Sequence, residues 1–223
     1  MRWMGVLGVL FVAPIALGCG APKEAVDTVC STFLPVDFVG TRFTYEGSAS
    51  LQLVTPAMVE FTGETTHEGQ PAWGVRQTVQ RIFEGDELQI VHETAYACGS
   101  DGVRLLGGTV TTSLNAPGDL GIEEYSLSES ILVLPPDPKN GDAWSSDYAG
   151  TGAVPDAPDT DGAAGTRRAT VVAVGTRTVD GESRKTITVE LEDSSLDVST
   201  YQTYARGIGL VEDDNYTLLG LAQ

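Results

Sequence analysis

Histidine and cysteine are scarce in this chain, two and three among 223 residues. None stands beside another at metal-ligand spacing, and no Cys-x-x-Cys pair occurs, so neither a zinc centre nor a dithiol redox site is expected. Bases are few as well: 13 Lys and Arg against 31 Asp and Glu, a formal charge of −18. That field repels nucleic acid and anionic lipid headgroups, which excludes both as expected partners. It is compatible with cationic ligands, with divalent ions, or simply with a solvated surface, the plainest of the three. No Gly-x-Ser-x-Gly elbow is present, and no acid has an evident His partner for nucleophilic hydrolysis. Gly107-Gly108 lacks the Lys and the helix onset that phosphate binding needs. Glu123-Glu124 would point to opposite faces of a strand, wrong for a shared acid/base site. Beyond Leu17 no apolar run approaches the roughly 20 residues of a membrane-spanning helix.

What is present begins with an export signal. Residues 1–18 carry one charge, Arg2, followed by an unbroken apolar or small run that ends in Gly18. A short basic start, an apolar middle and a small-residue exit make a secretory signal peptide. Ala16-Leu17-Gly18-Cys19 resembles the lipobox of bacterial lipoproteins, in which a small residue precedes a cysteine that takes a diacylglyceryl thioether. Here Ala16 occupies the place where that family usually has Leu. The same residues also fit an ordinary small-x-small cleavage site, which would leave Cys19 a free or paired thiol. The resemblance implies Cys19 as the lipid attachment site, with fatty acyl chains such as palmitate supplying membrane affinity. Each buried methylene contributes about 0.8 kcal/mol, and stable anchoring takes two chains. Gly20, rather than Asp, after the cysteine implies an outer-membrane address by resemblance to enterobacterial sorting.

Three regions follow: signal peptide 1–18, lipidated tether 19–29, and a single β-rich domain 30–223. Removing the signal takes away Arg2 and no acid, moving the formal charge from −18 to about −19. With Cys19 acylated, Cys30 and Cys98 remain, and two thiols in an oxidising compartment are most simply a disulfide.

Val26, Val29, Cys30 and Phe33 fall at helical spacing and predict one short N-terminal helix. From Thr41 onward the period is two. Phe43, Tyr45, Ala49, Leu51 and Leu53 alternate with polar residues, as do Ala57, Val59 and Phe61, then Trp73, Val75 and Val79. Leu88, Ile90 and Tyr96 oppose Glu87, Gln89 and Glu93; Tyr125, Leu127, Ile131 and Val133 oppose Glu124 and three serines. Lys185, Ile187, Val189 and Leu191 alternate with Thr and Glu. One wet and one dry face per run is the pattern of antiparallel strands. Turn clusters separate the runs at 67–71, 84–86, 99–102 and 180–181. The expected fold is therefore all-β, a curved antiparallel meander that forms a half-barrel or open barrel to cover its dry face. Leu134-Pro135-Pro136-Asp137-Pro138 reads as a connector, and Gly150–Gly165 as a long loop.

Asp156, Asp159 and Asp161 before Gly162 invite a calcium reading, but the spacing is irregular and no Glu closes the loop. A solvated acidic loop is the simpler account. By parity His92 shares the dry face with Leu88 and Ile90, as a core or rim histidine, while His67 sits at a turn.

Asn140-Gly141-Asp142-Ala143-Trp144 after the Pro-rich connector, and the stretch Tyr204–Glu212 reading YARGIGLVE, resemble a group of bacterial envelope lipoproteins. In these a Gly-x-x-Trp strand start is followed by a Tyr-Ala-x-Gly-Ile-Gly-Leu-Val strand. The resemblance covers about residues 130–215. It implies a curved sheet similar in outline to the half-barrels of lipoprotein-localisation carriers, and it brings no reaction with it. Gly207 and Gly209 would let the last strand kink, and Trp144 would cap one end of the core. The leading expectation is a non-enzymatic envelope lipoprotein that binds a hydrophobic ligand or an envelope protein, with no cofactor. A surface structural lipoprotein and an envelope hydrolase with an unrecognised carboxylate site are the alternatives.

Overall fold

The computed structural model describes residues 34–35, 39–83, 85–114, 119–151, 164–194 and 198–221. The signal peptide, the tether with Cys19, and the helix expected at Val26–Phe33 lie outside the described residues.

Twelve strands follow in chain order: β1 (Arg42–Gly47), β2 (Ala57–His67), β3 (Gln70–Phe83), β4 (Asp86–Gly99), β5 (Gly102–Leu114) and β6 (Asp119–Leu134) make up the first half. β7 (Ala143–Thr151), β8 (Ala164–Val179), β9 (Glu182–Asp193), β10 (Val198–Ala205), β11 (Gly209–Glu212) and β12 (Tyr216–Leu221) make up the second. Each strand pairs with its neighbour in sequence, always antiparallel, and β1 also pairs with β12. The meander thus returns on itself as one sheet, nearly closed into a barrel with a seam.

Alternation decides which side faces in. Phe43, Ala57, Phe61, Val79, Leu88, Ile131, Ile187 and Val189 are all buried, as their parity predicts. The opposite face carries direct cross-strand ion pairs, Arg42–Glu60 between β1 and β2 and Arg76–Glu93 between β3 and β4. A dry inside and a charged outside is the reverse of a lipid-facing barrel. Two hairpins turn on left-handed residue pairs, Glu68-Gly69 and Asp180-Gly181, which suit the twist of the strands they join.

Three expectations are corrected. The alternation over 41–53 is not one strand: β1 stops at Gly47, and Ala49–Leu51 forms a single 3-10 turn. Leu53 folds back over Gly47, where an added Cβ would lie 2.4 Å from Leu53 Cδ1. Nor is the YARGIGLVE stretch one kinked strand. Gly207 and Gly209, at φ +74° and +93°, build a tight turn between β10 and β11, closed by the Ile208 N–H on the Ala205 carbonyl at 3.1 Å. Of the loop expected at Gly150–Gly165, the ends belong to β7 and β8, and residues 152–163 lie outside the described residues.

The seam runs between β6 and β7, whose ladder among the described residues has the pairs Ser126↔Thr151 and Leu127↔Gly150. Side chains bridge the gap where backbone does not. The Leu132 N–H donates to Ser146 Oγ at 3.0 Å, and the Leu132 carbonyl accepts from Trp144 Nε1 at 3.0 Å. Trp144 thus packs against the core cluster of Leu134, Ala169, Val171 and Ile187, as expected, and its indole N–H also stitches the seam.

A crease of small residues crosses five strands. Gly63, Gly74, Ala95, Gly107 and Ser126 are in-register neighbours from β2 to β6. Bulges accompany the line at Phe61/Gly63 and Leu105/Gly107. At Gly74 a Cβ would come 2.3 Å from Thr62 Oγ1, so the close approach there requires glycine. Beyond the crease the β2–β3 tip bends over until Glu68 accepts a hydrogen bond from Ser126 on β6 at 2.6 Å. That contact spans three strand spacings from β3, about 14 Å of sheet.

Candidate functional site

The inward residues do not fill the barrel. A cavity of about 280 Å³ remains, and its lining is mixed in chemistry. Phe43, Phe61, Val75, Val103, Leu105 and Val133 contribute hydrocarbon. Gln77, His92, Arg167, Gln202 and Asp213 contribute polar groups, with Tyr45, Tyr96, Tyr204 and Tyr216 adding both. At roughly 30 Å³ per water, the space holds about nine waters or a ligand of about ten non-hydrogen atoms. It is too small for a diacyl lipid.

The polar groups are held by specific partners. Arg167 and Asp193 are directly opposed in the β8–β9 ladder, and Arg167 Nε donates to Asp193 Oδ2 at 3.2 Å. The Tyr148 hydroxyl donates to the other oxygen, Asp193 Oδ1, at 2.8 Å. Tyr148, Asp193 and most of Arg167 are buried, so the pair sits in a low-dielectric wall where charge-assisted hydrogen bonds are strong. The Tyr204 hydroxyl donates to Gln202 Oε1 at 2.5 Å, and the Tyr45 hydroxyl to the Leu210 carbonyl at 2.6 Å. Burial pushes both phenols well above the ordinary tyrosine range, with the Asp213 charge adding to the shift at Tyr45 and the Tyr96 phenol at Tyr204. Both are neutral donors at any physiological pH. Asp213 Oδ1 accepts the backbone N–H groups of Asn215 and Tyr216, at 2.8 and 2.6 Å, and so fixes the β11–β12 turn at the cavity wall.

His92 lines this cavity, on the face its parity assigned. His67 lies at the β2–β3 tip, with Nε2 3.5 Å from Ser126 Oγ. The two histidines are not brought together. A second, wider concavity of about 650 Å³ lies beside the crease and is lined chiefly by threonines, Arg76, Glu93 and the tip residues His67 and Glu68. Gly107-Gly108 serves the crease and the rim of that concavity. Cys98 stands near the end of β4 and is disulfide-bonded; Cys19 and Cys30 lie outside the described residues. The same holds for Asp156, Asp159 and Asp161, and for the side chains of Glu123 and Glu124. Among the described residues no group of three or more His, Cys, Asp or Glu is placed to hold a metal ion.

Arg167, Asp193, Tyr148 and Gln202 were not legible as site residues in the sequence. One signal was available. In a half-buried strand the neighbours Arg167-Arg168 cannot both face water, so one arginine of the pair had to point inward.

These features define a class, an antiparallel β-barrel nearly closed on itself, with a cavity of mixed polar and apolar lining. Set against known proteins, the chain matches no family model, no curated protein and no solved structure.

Proposed function

We propose that this chain is a lipid-anchored, non-enzymatic lipoprotein of the bacterial cell envelope, at the outer membrane, whose barrel binds a small amphipathic ligand. The observation that carries the binding reading is the cavity itself, lined by hydrocarbon and by hydrogen-bonding groups, inside a barrel with ion pairs on its exterior. Ligand sites are concave, mostly apolar and furnished with a few fixed polar groups. The cavity's dimensions favour a compact ligand over a membrane lipid. Among the described residues that line the cavity Asp213 is the one carboxylate, and its Oδ1 accepts two backbone N–H groups of the β11–β12 turn.

The anchor reading rests on Ala16-Leu17-Gly18-Cys19 and gains support from Cys98. The chain has three cysteines, so a disulfide to Cys98 within the chain must use Cys19 or Cys30. A lipidated Cys19 requires Cys30. Leu34, four residues after Cys30, packs in the same cluster as Phe61, Val103 and Cys98. Four residues of extended chain reach about 14 Å, ample for that link.

Two measurements test the proposal. Intact mass of protein purified from membranes should show a diacylglyceryl-bearing Cys19, with Cys30 joined to Cys98 in the peptide map. A Cys19–Cys98 link would remove the anchor. Calorimetric titration with 1-octanol should show saturable binding with a negative heat-capacity change, weakened by the cavity-filling change Val133→Phe. No binding of 1-octanol, octanoate or octylamine would remove the cavity reading.

A further inference from the structure

From the Arg167 geometry we infer that the ligand carries a carboxylate, which the terminal nitrogens of Arg167 grip as a fork; this rests on the cavity being a binding site. The guanidinium is held by one edge only. Nε is committed to Asp193, whose second oxygen is taken by Tyr148. The two terminal NH2 groups of Arg167 have no hydrogen-bond partner among the described residues. Its side chain is 19% exposed and lines the cavity. A guanidinium fixed through Nε presents its Nη1/Nη2 edge, and that edge matches the two oxygens of a carboxylate.

The surroundings fit a carboxylate bound by its head with an apolar body. Tyr204 uses its proton on Gln202 Oε1, which leaves the Gln202 NH2 as a donor on the same wall. Asp213 is the opposing charge on the cavity wall, and its carboxylate is already stabilised by two backbone N–H groups. Phe43, Phe61, Val75 and Leu105 line the same cavity with hydrocarbon. A medium-chain carboxylate of about ten non-hydrogen atoms suits both the volume and the mixed lining.

The test compares octanoate, 1-octanol and octylamine on the full mature protein at pH 7, by isothermal calorimetry. Octanoate should bind about 10- to 100-fold more tightly than 1-octanol, the range for a charge-assisted pair. Arg167→Gln should abolish that preference, so that octanoate no longer binds more tightly than 1-octanol to the variant. Arg167→Lys, which keeps the charge and loses the fork, should retain only part of it. Because removing Arg167 leaves Asp193 buried without its cation, the ligand preference of the unmodified protein is the primary readout. Equal or weaker binding of octanoate than of 1-octanol overturns the carboxylate inference and leaves the cavity reading standing. Failure of all three ligands overturns the cavity reading itself.

Discussion

Gly165 stands opposite Tyr148 in the β7–β8 ladder, and a Cβ there would lie 2.7 Å from the Tyr148 hydroxyl and 2.9 Å from its ring carbon Cζ. The missing side chain makes room for the ring whose hydroxyl orients Asp193, which in turn holds Arg167. Gly165→Ala should therefore destabilise the fold by about 1–3 kcal/mol, as forced overpacking does, visible as a lower urea midpoint at unchanged slope. An unchanged midpoint would mean that Tyr148 can move without cost. At this scale the sequence was half legible. Parity placed His92 inside, yet it gave no hint that Asp193 and Tyr148 would meet, because their contact spans 45 residues of chain. Hydrogen-bond partners that distant are set by strand pairing, which no local pattern encodes.

The seam shows what strands leave undone and side chains complete. With two backbone pairs between β6 and β7 among the described residues, the Leu132 N–H and carbonyl depend on Ser146 and Trp144. Ser146→Ala should cost about 1–3 kcal/mol, the penalty for an unsatisfied buried donor, and should speed hydrogen exchange at the Leu132 amide. Ser145→Ala, one residue away on the exposed face, should change stability by less than about 0.5 kcal/mol. Equal effects of the two changes would show that the side-chain stitch carries no weight. The β8–β9 hairpin performs a similar service at the other thin join, where β11 and β12 share one register pair. Its arms run past the end of β10, Arg177 pairs with Glu212, and Val179 is buried in the cluster that holds Val211 and Phe43. Strands with strict alternation and clear turn residues were readable in advance. β5, β7 and β10 were not, because glycine, serine, aspartate and threonine dilute their apolar face, and the sheet around them supplies the order instead.

For the molecule as a whole, charge acts as a single quantity. A net charge of −18 on a barrel of this size repels itself, and salt screens that repulsion. Raising sodium chloride from about 10 to 500 mM should raise the thermal midpoint, since the Debye length falls from about 30 Å to a few ångströms. A falling midpoint would show that the cross-strand ion pairs outweigh the general repulsion. The sequence alone determined that this chain would be all-β, which face of most strands would be dry, and where several hairpins would turn. Each of those follows from a side chain's relation to neighbours two to four residues away. Closure of the meander through β1 and β12, the position of the seam, the crease through Gly63, Gly74, Ala95 and Gly107, and the cavity beside Arg167 were decided only in three dimensions. Those features depend on register summed around twelve strands, so a shift anywhere in the ring changes what meets in the middle.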